Sequence, residues 1–297
     1  MRRFLLVSTL LVAAMWAVQP RLQAQKQQQL FISHLAPDGQ PVTDLTASEV
    51  TISEDGVACK IVKLELIEWP MKIQVLIDNG KANTTPINSL REGLKAFFEQ
   101  VPDGVEVSTF TTSPQPRTIT KPTTDKKKLI ADIALLTPDT GAGAFFDALS
   151  EAATRVDKDK TPSFPVIFMV GSDLGHENVM DRDYRKLQEN IFKHAITVHI
   201  IVNSAGGGTS SGGAIQTEVG LNVTKMSGGR YENIATTTRL ATLLPEFAKR
   251  ISDSNLRQQH QFRVTYERPA NAKPQPEISA GVSRPGTPSL SLDGHMP

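Results

Sequence analysis

The sequence has little of several features that would point to a particular chemistry. It contains one cysteine, Cys59, among 297 residues, which excludes an intramolecular disulfide and a cysteine zinc cluster. Its 32 Lys and Arg nearly balance 31 Asp and Glu, which argues against nucleic acid as a partner. Gly-Lys-Ser/Thr and His-Glu-x-x-His patterns are also missing, so neither a phosphate loop nor a paired-histidine zinc site is expected.

Long apolar runs are missing too, except at the start of the chain. Arg2 and Arg3 precede the apolar stretch Phe4 to Val18, which is followed by Pro20 and by the small residue Ala24. This layout is typical of a secretory signal peptide, predicted here over residues 1–24 with cleavage after Ala24. An uncleaved anchor helix is the alternative, although a bilayer span needs about 20 residues. The mature chain is therefore expected to lack a membrane span and to be secreted or periplasmic.

Residues 25–70 have the pattern of a small antiparallel β unit. Alternating apolar residues are interrupted by the turn pairs Asp38-Gly39 and Asp55-Gly56. Near the other end of the chain, Gln261 to Tyr266 alternates in the same way, so residues from about 258 to 284 are predicted to complete this unit. Prolines, glycines and serines dominate beyond that point, and residues 285–297 are predicted to be a disordered tail.

Residues 71–257 have a different pattern, typical of an α/β domain. Short β-branched runs at 73–77, 105–110, 166–170 and 196–202 are apolar almost throughout, as in strands buried on both faces of a parallel sheet. Amphipathic helical stripes lie between them or follow them, at 87–98, 146–156, 184–192 and 240–251. The alternation predicts a doubly wound, mostly parallel sheet flanked by helices.

Two aspartates directly follow predicted strands of this sheet. Asp78 comes after Ile73 to Ile77, and Asp173 follows the run that ends at Val170. Ligands of open parallel sheets bind beyond the carboxyl ends of the strands, so these two carboxylates are the first candidates for a site. The alternative is that both simply accept backbone hydrogen bonds where their strands end.

The order of several short motifs resembles the von Willebrand factor type A (VWA) domain, and in particular secreted bacterial VWA-related proteins. Asp78 and Asp173 correspond to the aspartates of the family's metal-ion-dependent adhesion site. The segment 141–149, Gly-Ala-Gly-Ala-Phe-Phe-Asp-Ala-Leu, is similar to the family's Gly-Gly-Thr-Ala-Leu-Tyr-Asp-Ala-Leu, and Ser227 to Tyr231 is similar to its Thr-Gly-Gly-Arg-Tyr segment. The resemblance covers residues 28–268 and implies a Rossmann-like fold with a binding function.

The sequence departs from the family at the hydroxyl ligands of that site. Gly80 and Ala82 stand where the resemblance implies serines, and Gly143 stands where it implies threonine. Two carboxylates supply only part of the six-oxygen shell that magnesium needs. We therefore expect a degenerate site and no cofactor, with Mg²⁺ or Mn²⁺ held by Asp78 and Asp173 as the alternative.

These observations predict an exported, non-enzymatic module that binds another protein. The alternative is a metal-dependent hydrolase or phosphotransferase that uses Asp78 and Asp173. No nucleophile and base pair emerges from the motifs, so no catalytic residue is predicted. The predicted binding residues lie in loops at the carboxyl edge of the sheet: Asp78, Asn79, Gly80, Lys81, Asn83, Gly143, Ser172, Asp173 and His176.

Overall fold

The structure is a computed structural model that describes residues 26–83, 86–174, 179–204 and 211–294, with backbone alone for 211–214. The predicted signal peptide over 1–24 lies outside these residues. The described strands are β1 Gln27–Leu35, β2 Val50–Glu54, β3 Val57–Ala58, β4 Lys60–Ile67, β5 Met71–Ile77, β6 Glu106–Thr111, β7 Arg117–Thr123, β8 Phe164–Ser172, β9 Thr197–Asn203, β10 Tyr231–Ile234, β11 Gln261–Glu267, β12 Ile278–Val282 and β13 Thr287–Ser291. The described helices are α1 Ile87–Gln100, α2 Lys126–Ala134, α3 Phe145–Lys158, α4 Asp181–Lys193, α5 Ser211–Met226 and α6 Leu240–Gln258.

The early and late strands form two antiparallel sheets that enclose one small core. The larger sheet has the order β13-β1-β11-β4, and the smaller has the order β12-β2-β3. In the larger sheet, β11 lies between two early strands, so the late segment completes the early unit. Apolar side chains from both sheets and from the connection after β1 meet in this core: Leu30, Ile32, Val42, Leu45, Val50, Ile52, Phe262, Val264 and Tyr266.

The predicted disordered tail is wrong for residues 285–294. Strand β13 pairs antiparallel with β1 from Phe31 opposite Ser291 to Leu35 opposite Thr287. The prediction failed because proline, glycine and serine are common both in disordered tails and in edge strands, which tolerate proline on their unpaired side. The edge of β1 supplies the backbone partners that the tail's composition alone does not reveal.

The central sheet has six strands in the order β10-β9-β8-β5-β6-β7. Strands β5, β6, β8, β9 and β10 are parallel, and β7 is an antiparallel edge. Helices α1, α2 and α6 pack on one face, and α3, α4 and α5 pack on the other. This confirms the predicted doubly wound α/β fold with an accessory antiparallel β unit. All nine residues of β8 are buried because helices cover both of its faces.

Candidate functional site

The carboxyl ends of β5, β8 and β9 gather polar side chains at one edge of the central sheet. The parallel register places Ile77 beside Val170, and Ser172 beside Asn203. Asp78 continues β5, where its backbone N–H donates to the Val170 carbonyl at 2.8 Å. The sheet thus brings Asp78 and Ser172 together, although 94 positions separate them in the chain.

Asp78 is buried, with 2% of its surface exposed, and both of its carboxylate oxygens accept hydrogen bonds. The backbone N–H of Gly80 donates to Oδ1 at 2.8 Å, and the Ser172 hydroxyl donates to Oδ2. Burial raises the pKa of this carboxyl above its ordinary value of 3.8, although the hydrogen bonds from Ser172 and Gly80 oppose that shift. Among the residues that the structure describes, neutral donors therefore satisfy the carboxylate, and no cationic side chain pairs with it.

Gly143 lies directly against the Asp78 carboxylate. A Cβ atom added at Gly143 would lie 2.6 Å from Cγ and 2.7 Å from each carboxylate oxygen. A Cβ atom at Gly80 would lie 2.6 Å from the Gly141 carbonyl oxygen and 2.9 Å from Asp78 Oδ1. Both glycines thus stand at close approaches of backbone to Asp78 that a larger residue would prevent. With this backbone arrangement, neither position has room for the hydroxyl residues that the VWA resemblance implies.

Two buried amides connect the loops that follow β5 and β9. Asn83 donates from Nδ2 to the Asp78 carbonyl oxygen at 2.7 Å, and its Oδ1 accepts from Asn203 Nδ2 at 3.1 Å. The carbonyl of Asn203 also accepts the backbone N–H of Asp173 at 3.3 Å. Asn203 was not predicted from the sequence, although it is a polar residue at the end of a buried strand, and the same kind of position made Asp78 a candidate.

A second set of hydrogen bonds ties the loop after β5 to residues 137–141. Asn79 donates from Nδ2 to the Thr137 carbonyl at 2.9 Å and accepts at its own carbonyl from the Asp139 N–H at 2.7 Å. Lys81 N–H donates to the Gly141 carbonyl at 2.9 Å, and Gly141 N–H donates to Asp139 Oδ1 at 2.8 Å. The Lys81 side chain is exposed, whereas Asn79 is buried.

Residues at the end of β6 also belong to this site and were missed from the sequence. The Ser113 hydroxyl donates to the Ala142 carbonyl at 3.2 Å. The backbone N–H of Thr112 donates to the Ile77 carbonyl, and the Thr112 carbonyl accepts from the N–H of Ala144. Their positions after a buried strand were a usable signal, but hydroxyl residues are common at strand ends.

The remaining predicted residues are placed differently. Asp173 is buried beside β9, whereas His176 falls in 175–178, outside the described residues. Within the described part of the chain, no group of three or more His, Cys, Asp or Glu is arranged to hold a metal ion. None of the described helices is long and apolar enough to cross a membrane.

Polar loops at the carboxyl edge of an open, doubly wound sheet define a class of α/β folds that bind ligands there. No family model matches the sequence, and no curated protein matches it. A von Willebrand factor type A structure from Catenulispora acidiphila is similar with a TM-score of 0.50 and 10% identity, over 91% of this chain and 73% of that one.

Two further solved structures are similar to this chain. BatB from Bacteroides thetaiotaomicron gives a TM-score of 0.47 at 12% identity over 63% of this chain and all of that chain. The vWF domain of the pili tip protein Mfa5 from Porphyromonas gingivalis gives 0.46 at 11% identity over 62% and 96%. The similarity to the von Willebrand factor type A structure shows that this chain has a VWA-type fold.

Proposed function

We propose that this chain is an exported, non-enzymatic protein-binding module whose VWA-type domain contacts its partner without a divalent cation. The observation that carries the proposal is the packing of Gly143 against Asp78, whose two oxygens already accept hydrogen bonds. In this arrangement the Asp78 carboxylate at the centre of the site already has hydrogen-bond donors for both of its oxygens.

The donor set at the carboxyl edge does not fit a hard divalent cation. Magnesium needs close to six oxygen ligands in near-octahedral order. Gly80 and Gly143 bring no side-chain oxygen, and the Ser172 hydroxyl donates to Asp78. A cation would have to displace both hydrogen bonds of Asp78 and the Gly143 backbone beside it. The pair Asp78 and Asp173 is for the same reasons a weak basis for metal-dependent hydrolysis or phosphoryl transfer.

Burial also argues against Ser172 as a nucleophile. Ser172 and Asp78 are each only 2% exposed, so a substrate has no direct approach to the hydroxyl in this arrangement. A nucleophile needs an accessible oxygen and a base that can take its proton. The Ser172 and Asp78 pair is better suited to holding β5 and β8 together at their carboxyl ends.

The exposed parts of the same loops form the proposed contact surface. Asn79 and Asn83 are buried and hold the loops in place, so in this proposal they position the surface. Lys81 is exposed and has no ion-pair partner among the described residues, and Thr140 and Ala142 are exposed beside it. A rigid loop surface with one unpaired lysine suits a partner that presents an acidic group.

Affinity capture with the chain from residue 25 onward tests this function. The bait is incubated with the envelope and secreted fractions of its source, with either Mg²⁺ or a chelator, and contacts are mapped by cross-linking. We expect the same partner under both conditions, and weaker capture by Lys81→Glu than by the control Lys127→Glu, an exposed lysine of α2. Capture that needs Mg²⁺, or cross-links confined to the β unit, would contradict the proposal.

A further inference from the structure

Strand β4 is an unpaired edge of the larger sheet in the β unit. It pairs with β11 on one side and ends the strand order on the other. At eight residues it is the longest edge strand described, and it contains no proline, whereas the edge strands β7 and β13 contain Pro122 and Pro288. Unpaired edges with free backbone groups are templates for pairing with another strand.

The core of the β unit is also open on this side. A cavity of about 360 Å³ lies between β2 and β4 and is lined by Val50, Ile52 and Ile61, among others. Val62 on β4 is 45% exposed, and Val57 on the neighbouring β3 is 54% exposed. Apolar surface beside an unpaired edge is what a docked strand would cover.

The charges along this edge are self-complementary. The sequence from Lys60 to Glu68 reads Lys-Ile-Val-Lys-Leu-Glu-Leu-Ile-Glu. When two copies run antiparallel with Leu64 opposite itself, Lys63 faces the partner's Glu65, and Lys60 lies toward the end of the other strand that Glu68 follows. The residues between them are apolar in both copies. Lysines that only protect an edge would repel a second copy, whereas here Lys63 of each copy meets a glutamate.

We propose that two copies of this chain associate through β4 in this register and form a continuous antiparallel sheet of eight strands. Lys63 and Glu65 lie on the same side of the strand, since their side chains bond at 2.6 Å within one copy. Leu64 lies on the other side, against the core of the β unit. The register shift between β4 and β11 falls at Val62, so Lys63 to Glu65 keeps regular strand geometry. This is the segment that would form the two central pairs between Lys63 of one copy and Glu65 of the other.

Charge exchange gives the decisive test, with the oligomeric state of the chain from residue 25 measured by sedimentation velocity over a wide concentration range. The unaltered chain is expected to dimerise reversibly. In Lys63→Glu, two symmetric attractive pairs become repulsive, which should raise the dimer dissociation constant about tenfold or more. Glu65→Lys should do the same. An equimolar mixture of the two variants should form a heterodimer, because both glutamates of one copy then face lysines of the other.

Lys121→Glu is the matched control, because Lys121 is an exposed lysine of another edge strand, next to Pro122. It should leave dimerisation unchanged, and circular dichroism checks that every variant is folded. A second measurement uses Leu64→Cys in a Cys59→Ser background. Residues opposite each other on antiparallel strands have Cα atoms about 4.5–5.5 Å apart, within disulfide range, so oxidation should link the two copies. A monomer at all concentrations, or a dimer insensitive to both charge variants, would overturn the proposal.

Discussion

Glu54 in the β unit and Asp78 in the central domain are the two most deeply buried carboxylates among the described residues, at 1% and 2% exposed. The Arg268 guanidinium donates from Nε to both oxygens of Glu54 at 2.9 Å, and the Tyr266 hydroxyl donates to Oε1 at 2.9 Å. Among the described residues, Asp78 accepts from the Ser172 hydroxyl and from the backbone N–H groups of Gly80 and Ser172. Within the described part of the chain, Glu54 thus has a cationic partner, and Asp78 has none.

The difference shows two ways in which a fold can accommodate a buried acid. The Arg268 guanidinium pairs with Glu54 and joins β2 to the segment after β11, whereas burial raises the pKa of Asp78 and favours its protonated form. A metal cation would be another way to stabilise the ionised form of Asp78. Because Gly143 packs against the carboxylate, the ionised form of Asp78 is stabilised by hydrogen bonds alone, and protonation is the other way to accommodate this buried acid.

The largest expected effect comes from removing the charge of Glu54. In Glu54→Gln, Arg268, with only 13% of its side chain exposed, would lose the carboxylate to which its guanidinium is hydrogen-bonded. Breaking a buried ion pair in this way destabilises by about 3–5 kcal/mol. Denaturant unfolding followed by circular dichroism measures the loss. The control Glu232→Gln affects a partly exposed pair with Arg230 and should change stability little. Equal losses of unfolding free energy in both variants would show that burial of the Glu54 and Arg268 pair does not increase the cost of breaking it.

A smaller loss is expected when Gly143 receives the threonine that the VWA resemblance implies. In Gly143→Thr, the new Cβ would approach the Asp78 carboxylate at 2.6–2.7 Å, and relief requires movement of the loop. Overpacking of this kind costs about 1–3 kcal/mol. Thermal unfolding compares it with Ala142→Thr, a change at the exposed neighbouring residue that should be tolerated. A threonine that stabilises the chain would show that the loop readily opens to the family's geometry.

The third prediction concerns the pH dependence of stability. Because the folded-state pKa of Asp78 is raised, the folded protein holds this proton when the unfolded chain has already lost it. The free energy of unfolding therefore falls as pH rises from about 4 through the folded pKa. Asp78→Asn should remove this contribution and flatten the profile. Asp253→Asn, at an exposed residue of α6, is the control. An unchanged slope in Asp78→Asn would assign the pH dependence to other groups.

The smallest expected effect is the response to cations. Millimolar Mg²⁺ or Mn²⁺ should barely change the melting temperature of the chain, whereas a ligand at 100 times its dissociation constant adds about 2.7 kcal/mol. Differential scanning calorimetry with and without chelator measures the shift. A large rise that disappears in Asp78→Asn would show that the carboxylate exchanges its hydrogen bonds for a metal.

Much of the fold could be predicted because the apolar patterns are strong. The buried run at 166–170 and the stripe at 87–98 lie in β8 and α1, and Gln261 to Tyr266 lies in β11. Helix α5 was not predicted, since its sequence begins with Ser-Gly-Gly and has no clear apolar stripe. Strand β7, with its polar residues and Pro122, was also missed, because an edge strand does not need the apolar run of a buried one.

The candidate site was predicted only in part. Asp78, Gly143 and Ser172 do meet at the carboxyl edge, as strand order and motif order indicate. The sequence could not show that the two glycines let the backbone close against the carboxylate. It also could not show that Asn83 is buried and bonded to Asn203, since side-chain burial in a loop depends on distant segments.

The amino-acid pattern sets the local preferences of this protein: which segments favour strand or helix, which strands end in acids, and how two lysines precede two glutamates from Lys60 to Glu68. The packing of distant segments sets which groups these features contact. Only the parallel register brings Ser172 to Asp78, and only the strand order leaves β4 as an edge where its charges can face another chain. Local preference depends on neighbours within a few positions, whereas burial, pKa and edge exposure depend on groups that the chain brings together from far apart.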